Sequence, residues 1–320
     1  MFAVYADSFS PTDPLSGLVV GELPEPQAGE GWTTIEVRAA SLNHHDLWTL
    51  RGVGITENRL PMTLGCDAAG IDEHGNEVVL HSVIAPSGVD SEIEDPHRSL
   101  LSEVYQGTFA DRVIVPRRNV LSKPAALTFS EAACLPTAWL TAYRMLVAKS
   151  GTQPGDTVLI QGAGGGVTTA AIVLARTMGL RVWVTSRSAD KRDAALTLGA
   201  HEAFESGARL PHRVDAVLET VGAATWEHSV KSLRPGGRIV ISGATSGPNP
   251  PAELARIFFK ELAVLGSTMG TKQELQRLLS LCEVTGIRPL IDRELPMSQA
   301  REGLAAMAEG NIFGKIVLTR

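Results

Sequence analysis

The sequence predicts an α/β fold in which a β-rich first domain is followed by a doubly wound parallel-sheet domain. The first third of the chain contains short apolar runs broken by proline and glycine, whereas after Thr128 strand-like runs alternate with helix-like segments. A glycine-rich turn at 162–166 joins one such strand to a small-residue helix, which is typical of a doubly wound sheet. The last helix and strand, at 300–309 and 315–318, are expected to return to the first domain.

The β-rich domain is assigned from its apolar runs. Prolines and glycines separate these runs, and the polar, acidic segment 85–107 is expected to be a surface loop. The predicted strands are 1–5, 18–22, 33–40, 77–81 and 110–116.

The second domain begins with a predicted helix from Thr128 to Lys149. Thr128 and Glu131 have the spacing of a capping box, and Gly151 would end the helix. The segment 235–237, Pro-Gly-Gly, predicts a turn ahead of a strand at 238–242. The other predicted elements are strands 158–160, 182–184, 215–219 and 264–266, and helices 167–178, 225–233 and 271–283.

Composition excludes several classes of protein. The chain has 320 residues, of which 44% are hydrophobic, and a formal net charge of −6. No basic, aromatic-interleaved stripe indicates nucleic-acid binding, and no apolar run approaches the ~20 residues of a membrane helix. The three cysteines are widely spaced, so neither a disulfide framework nor a cysteine metal clip is expected. The N-terminal residues lack a signal-peptide pattern, and we expect a cytoplasmic protein.

The glycine-rich turn predicts a dinucleotide site. Glycines allow a tight turn and a close approach of the backbone to a pyrophosphate, whose charge then lies at the N-terminus of the following helix. The spacing departs from the usual fingerprint, since Val167 or Thr168 stands where a last glycine is usual. The predicted contacts are Gly162, Gly164, Gly165, Gly166 and Val167.

The residues after the second strand of this unit favour NADP(H). A site for NAD usually has an acidic residue about 20 residues beyond the glycines, to bind the ribose 2′-hydroxyl. Here Ser186, Arg187 and Lys191 occupy that region, and hydroxyl and guanidinium groups suit a 2′-phosphate. The alternative is a solvated basic start of a helix, which Asp190 and Asp193 partly support.

Two later segments follow predicted parallel strands at their carboxyl ends, where ligands bind in such sheets. They are predicted to contact the cofactor and consist of Ser242, Gly243 and Ala244, and of Ser267, Thr268 and Met269.

Six stretches together resemble the medium-chain dehydrogenase/reductase superfamily over nearly the whole chain, most closely its zinc-less quinone oxidoreductase-like members and relatives labelled zinc-type. Besides the glycine turn they are SLNHHD (41–46), GCDAAG (65–70), GTFAD (107–111), AACLPTAWLTAY (132–143) and GKIVL (314–318). The resemblance implies a chaperonin-10-like substrate domain, 1–125 and 271–320, and a Rossmann cofactor domain, 126–270. It also implies that Thr141 lies near the nicotinamide and that Lys315 reaches the cofactor phosphates.

The resemblance also bears on zinc. Zinc-dependent members have metal ligands where this chain has Asn43, Cys66, Asp67 and Thr137. Asparagine and threonine are poor substitutes for thiolate and imidazole, so no catalytic zinc is expected. An improvised site from Cys66, Asp67, His44 and His45 is the alternative. The structural zinc of those relatives is expected to be absent, because 85–107 contains no cysteine.

The catalytic candidates are Asn43, His45 and Asp67, each with a structural alternative. Asn43 would contact the substrate carbonyl or the nicotinamide ribose, or would only form a turn. His45 would be a general acid, or a solvent-facing histidine at a helix start. Asp67 would orient the pocket, or be a buried structural carboxylate. An apolar wall for the substrate is expected from Trp48, Trp139 and Phe258, unless these aromatics belong to the core.

These observations predict a metal-independent, NADPH-dependent oxidoreductase that transfers hydride to a small quinone, enone or reactive carbonyl. One alternative is an alcohol or aldehyde dehydrogenase, either zinc-dependent or metal-free. The other is a low-turnover NADPH-binding sensor or interaction protein. The expected partners are the small-molecule substrate and, from the resemblance of the strand near 262–266, a second copy of the chain in a homodimer.

Overall fold

The structure, a computed structural model, describes residues 1–87 and 91–320. Its contacts divide the chain into two units, Met1–Ala138 with Gly270–Arg320, and Trp139–Met269. This grouping puts residues 126–138 in the first unit, because the helix Phe129–Ala133 packs against strands of that unit. The sequence interpretation had placed them in the second domain.

Strands and helices are numbered in chain order. The strands are β1 (Phe2–Ala6), β2 (Leu18–Glu22), β3 (Trp32–Ser41), β4 (Met62–Thr63), β5 (Asp67–Asp72), β6 (Glu77–Leu80), β7 (Val83–Ile84), β8 (Ser99–Leu100), β9 (Arg112–Pro116), β10 (Val120–Ser122), β11 (Thr157–Ile160), β12 (Arg181–Thr185), β13 (Glu202–Phe204), β14 (Val214–Glu219), β15 (Leu233–Ile241), β16 (Ala263–Gly266), β17 (Ile291–Pro296) and β18 (Lys315–Thr319). The α-helices are α1 (His44–Leu50), α2 (Phe129–Ala133), α3 (Leu140–Arg144), α4 (Gly166–Thr177), α5 (Ala189–Leu198), α6 (Ala223–Ser232), α7 (Leu254–Phe259), α8 (Lys272–Thr285) and α9 (Ala300–Glu309).

The first unit is built on a mixed sheet in the order β10-β6-β5-β3-β18-β17, with β9 also paired to β3. Two smaller sheets, β2-β1-β4 and β7-β8, complete its strands among the described residues. Within the main sheet, Ser41 at the end of β3 lies opposite Asp67 of β5 and Val317 of β18. This register brings the start of α1 next to the first residues of β5 and β18. The core beneath includes Ile35, Leu64 and Phe109, all fully buried.

The second unit has a six-stranded sheet in the order β13-β12-β11-β14-β15-β16, in which every pairing is parallel. The order reverses direction between β11 and β14, and the glycine turn follows β11 at that switch point. Helices α4, α5 and α6 pack against these strands, and Trp183, Val217 and Ile239 lie in the core. Ligands bind at such switch points in open α/β sheets, so the sheet positions the predicted cofactor site.

The predicted α/β fold class is confirmed, and most predicted elements occur within a few residues of their expected bounds. The sequence interpretation missed β5, β10 and β17, all of which pair within the main sheet of the first unit. The loop prediction for 85–107 is interrupted by β8 and a short turn at Glu92–Glu94, and its residues 88–90 lie outside the described part.

Two other predictions were wrong in detail. The helix expected from 128 to 149 is broken into α2, α3 and two wider π-helical turns, Leu135–Trp139 and Met145–Ser150. Pro136 lies in the first of these turns, and proline has no N–H with which to continue an α-helical ladder. The turn expected at 235–237 instead lies inside β15, where the pairing with β14 shifts register. None of the helices in the described ranges is both long and apolar enough to span a bilayer.

Candidate functional site

The glycine turn of the second unit has the backbone geometry that a phosphate site needs. Gly162 and Gly164 have φ values of 78° and 111°, a region that other residues rarely adopt. A Cβ on Gly162 would lie 3.0 Å from a methyl carbon of Val221. Gly165 caps α4, whose twelve residues begin at Gly166. The N–H groups of the first turn of α4 have no acceptor within the helix, and they lie at the glycine loop.

Thr168 does not obstruct this turn, although it stands where the fingerprint usually has glycine. Its side chain is buried, and its hydroxyl donates a hydrogen bond of 2.9 Å to the carbonyl of Gly165. Val167, the residue before it, is half-buried in the first turn of α4.

The segment after β12 presents one free basic group and one that is structural. Arg187 is exposed and makes no hydrogen bond within the described part of the chain, whereas Arg192 donates to the carbonyl of Ser186 at 2.8 Å. Ser188 caps α5 by accepting from the N–H of Lys191. The predicted set therefore surrounds the end of β12, with Arg187 as its exposed cation.

Two buried hydroxyl groups lie at the carboxyl ends of neighbouring strands. Ser242 follows β15 and Ser267 follows β16, and the oxygens of both hydroxyls are buried without a partner among the described residues. Because Ile241 and Gly266 are paired in the sheet, the two serines stand side by side. Orphaned buried hydroxyls call for a ligand, and a dinucleotide along this edge fits them.

The other predicted cofactor contacts differ in exposure. Gly243 and Ala244 are half-buried after β15, Thr268 is exposed, and Met269 is buried with a φ of 41°. Thr141 is buried in α3.

Asn43 is the hub of a polar cluster in the first unit. It precedes α1, is 8% exposed, and its amide nitrogen donates 2.8 Å to Asp67 Oδ2 and 3.2 Å to the carbonyl of Ser41. Its amide oxygen accepts from Lys315 Nζ at 2.7 Å. Because both ends of the amide are engaged, the orientation of the side chain is fixed by its neighbours.

Asp67 is fully buried and accepts hydrogen bonds from four side chains. Ser41 and Asn43 donate to one oxygen at 2.8 Å each, and Thr137 and Ser82 donate to the other. This arrangement favours the orienting or structural role expected for Asp67 over direct chemistry.

Lys315 also belongs to this polar cluster. Its side chain is 3% exposed, and its ammonium donates to Asn43 Oδ1 and to the carbonyl of Leu42, 3.7 Å from Asp67 Oδ2. These partners hold the charge inside the first unit, and the contact with cofactor phosphates that the resemblance implies stays a prediction. We call Asn43, Asp67, Thr137 and Lys315 the buried polar cluster.

Two further buried acids border this cluster. Asp46 accepts from the backbone N–H groups of Asn43 and Gly65, and burial raises its pKa to about 6. Cys66 lies 3.4 Å from Thr137 Oγ1, and burial, together with Asp67 and Asp46, raises the pKa of its thiol well above the usual value.

His45 pairs with Glu103, a residue that the sequence interpretation did not identify. His45 Nε2 lies 3.1 Å from Glu103 Oε1, and the other ring nitrogen is buried without a partner among the described residues. The other Glu103 oxygen accepts from the N–H of Leu100 and the hydroxyl of Ser99. Burial alone would raise the pKa of Glu103, but the hydrogen bonds from His45, Leu100 and Ser99 hold that pKa below its ordinary value. Ser102, with φ 71°, bends the loop that presents Glu103.

The residues at the expected zinc position do not fit that metal. Asn43 and Thr137 offer an amide and a hydroxyl that are already hydrogen-bonded to Asp67. One group in the described ranges, His45, Asp46 and Cys66, has potential ligand atoms within 4.8 Å of one another. Each oxygen of Asp46 also accepts a hydrogen bond from a backbone N–H group. The improvised set of the sequence interpretation, which included His44 and Asp67, is not this group.

The three aromatic candidates for an apolar substrate wall have different surroundings. Trp139 is 1% exposed and belongs to the core. Trp48 is half-buried with the guanidinium of Arg51 over its ring, and Phe258 is 63% exposed on α7.

Comparisons with known proteins match both parts of the chain. Residues 29–125 match the alcohol dehydrogenase GroES-like domain, and residues 166–283 match the zinc-binding dehydrogenase family. The acryloyl-coenzyme A reductase of Sulfurisphaera tokodaii is 28% identical, over 95% of this chain and 97% of its own. The quinone oxidoreductase of Pongo abelii is 26% identical, over 89% and 88%. The crystal structure of an NAD-dependent alcohol dehydrogenase is 34% identical with full coverage of both chains and a TM-score of 0.91.

Proposed function

Because the chain belongs to the medium-chain dehydrogenase/reductase superfamily and is an NAD(P)H-dependent oxidoreductase, we propose that it transfers hydride from NADPH to a small quinone, enone or reactive carbonyl without a metal. The observation that carries this proposal is the buried polar cluster, in which Asn43 and Thr137 bind Asp67 where zinc-dependent relatives have metal ligands.

The presence of Asn43 and Thr137 where zinc-dependent relatives have metal ligands bears on the choice of substrate. Oxidising a simple alcohol gains from a metal that polarises the oxygen and lowers the pKa of the hydroxyl. Conjugated acceptors are already electrophilic, so positioning, an oxyanion partner and a proton donor are enough. The similarity to proteins named quinone oxidoreductase and acryloyl-coenzyme A reductase supports such an acceptor for this chain.

The second unit would hold the cofactor. The glycine turn and the N-terminus of α4 suit its pyrophosphate, Ser242 and Ser267 offer free hydroxyls, and Arg187 offers a cation for a 2′-phosphate. When bound, NADPH supplies the hydride. The chain itself must then supply a proton to the reduced acceptor.

We assign that proton to His45. Glu103 holds one ring nitrogen at 3.1 Å, which leaves the other, buried and without a described partner, to face away from the carboxylate. A histidine oriented by a carboxylate is a recurrent proton donor in enzymes. Asn43, by contrast, donates its two amide hydrogens to Asp67 and to the carbonyl of Ser41, which leaves no donor for a substrate carbonyl, so we assign it to positioning.

The substrate class is tested by following NADPH oxidation with quinones, 2-alkenals, ketones and aldehydes in parallel. The proposal expects the largest kcat/KM with quinones or 2-alkenals. Turnover confined to simple ketones and aldehydes, which is the reverse of alcohol oxidation, would refute it. Tight NADPH binding without turnover of any acceptor would favour a sensor.

Cofactor choice is tested by binding, since the similar solved structure is named NAD-dependent. NADPH should bind more than about tenfold more tightly than NADH, because a charge-assisted bond to phosphate contributes about 1.5–3 kcal/mol. Arg187→Asp should narrow that ratio, whereas Arg118→Asp, an exposed charge reversal in the first unit, should leave it unchanged. Equal affinities in the wild type would exclude the NADP(H) assignment.

A zinc-dependent alcohol dehydrogenase is the second candidate, favoured by the grouping of His45, Asp46 and Cys66. It predicts stoichiometric zinc that is lost, together with activity, in Cys66→Ala. We also propose a homodimer through the edge strand β16, where Val264 is exposed; the helix before it, α7, also exposes Phe258 and Phe259. The dimer is tested by sedimentation at several protein concentrations. The cytoplasmic location stays a prediction.

A further inference from the structure

The carboxyl ends of three adjacent strands in the second unit are joined by a chain of buried side chains. Gln161 follows β11, Thr185 ends β12, Glu219 ends β14, and Ser229 lies on α6; all four are fully buried. We call these four residues the strand-end network. None of them was a predicted cofactor contact.

The network begins at the glycine turn. The N–H of Gly162 donates to Thr185 Oγ1 at 3.3 Å, and Thr185 Oγ1 donates to Gln161 Oε1 at 2.6 Å. The amide nitrogen of Gln161 then donates to Ser229 Oγ at 3.0 Å. One hydroxyl therefore ties the first residue of the turn to the last residue of the neighbouring strand.

The network ends at the loop after β14. Ser229 Oγ donates to Glu219 Oε2 at 2.6 Å, and Glu219 Oε1 accepts from the N–H groups of Val221 and Gly222 at 2.8 and 3.0 Å. Val221 in turn packs against the position where Gly162 lacks a Cβ. The glycine turn, the end of β12 and the loop after β14, which border the switch point, are thus linked to one another through buried side chains.

We propose that the strand-end network is a positioning device for the dinucleotide, with Thr185 and Gln161 fixing the glycine turn in its binding conformation before the cofactor arrives. The inference rests on the proposed cofactor site. A preformed site loses less conformational freedom on binding, so its disruption weakens affinity. Thr185 acts on the glycine turn, which would bind the pyrophosphate that NADPH and NADH share. A change at Thr185 should therefore weaken the binding of both dinucleotides equally, whereas a change at Arg187 should not.

The test compares Thr185→Val, which has nearly the same shape but no hydroxyl, with Thr185→Ser, which keeps it. Dissociation constants of NADPH and NADH are measured by titration calorimetry, and KM for NADPH is measured alongside KM for the acceptor. Thr185→Val should raise both dissociation constants about tenfold with their ratio preserved, and should raise KM for NADPH more than KM for the acceptor. Thr185→Ser should restore affinity to within about threefold.

Thr197→Val is the matched control, since the hydroxyl of Thr197 donates to the carbonyl of Asp193 on the exposed side of α5 and has no other hydrogen-bond partner among the described residues. It should leave all constants unchanged. Ser229→Ala is a second variant that breaks the network at another point. It should also weaken the binding of both dinucleotides by the same factor.

Wild-type affinities in both Thr185→Val and Ser229→Ala would overturn the inference while leaving the proposed function intact. A wild-type protein that binds neither dinucleotide would overturn the proposed function and this inference with it.

Discussion

Replacing Lys315 by Met tests the buried polar cluster directly. Methionine keeps most of the unbranched stem but removes an ammonium that is 3% exposed and lies 3.7 Å from the fully buried Asp67. Two unit charges at that distance interact by about 4 kcal/mol at the effective dielectric constant of a protein. Removing one partner of a buried pair typically costs about 3–5 kcal/mol, because the other charge is left uncompensated. We expect a loss of this size in the free energy of unfolding.

The assay is urea-induced unfolding of the cofactor-free protein. Lys231→Met is the control, because Lys231 pairs with Glu227 on the surface of α6 and such pairs contribute only about 0.3–0.5 kcal/mol. A double-mutant cycle with Asp67→Asn should give a coupling energy above about 1 kcal/mol between positions 67 and 315. A loss for Lys315→Met no larger than for Lys231→Met, or no coupling, would refute the buried pair.

Three further predictions concern the same unit. Gly65→Ala should lower the free energy of unfolding in urea by about 2 kcal/mol more than Gly75→Ala does. Both glycines have a φ near +90°, but only at Gly65 would a Cβ lie within 2.3 Å of an aromatic carbon. Equal losses of stability in the two variants would contradict this prediction. Burial raises the pKa of Asp46 from 3.8 to about 6, so folding favours its protonated form. The free energy of unfolding should therefore fall by about 3 kcal/mol in total as pH rises from below 3.8 through and beyond 6. That slope should be missing from Asp46→Asn, and a slope that persists there excludes Asp46 as its source. His45→Asn should lower kcat about a hundredfold, and Glu103→Gln should lower it about tenfold, both with little change in KM for NADPH. A kcat equal to that of the wild type in both variants would exclude His45 as the proton donor.

The glycine turn and its flanking elements were readable from local sequence. A strand, a glycine turn and a small-residue helix lie within about twenty residues, and they have the backbone conformation that a phosphate site needs. The sequence also held a signal for Glu219, which ends an apolar strand just before Val221 and Gly222. Its carboxylate accepts hydrogen bonds from the N–H groups of these two residues.

The first unit depends on contacts between distant parts of the chain, which local patterns do not reveal. Strand β5 is mostly small and buried between β3 and β6, so it lacks the alternation that marks a half-buried strand. The direction of Lys315 follows from the register of β18 on β3, which places it beside Asn43. Glu103 reaches His45 from a loop bent at Ser102, and no periodicity predicts that pairing.

The measurement that tests the account most directly is zinc content and NADPH-dependent turnover on one preparation, before and after exhaustive chelation. Because Asn43 and Thr137 are hydrogen-bonded to Asp67 at the expected metal position, we expect far less than one zinc per chain and turnover that chelation leaves intact. One zinc per chain, with activity lost on its removal and restored by zinc alone, would contradict the account.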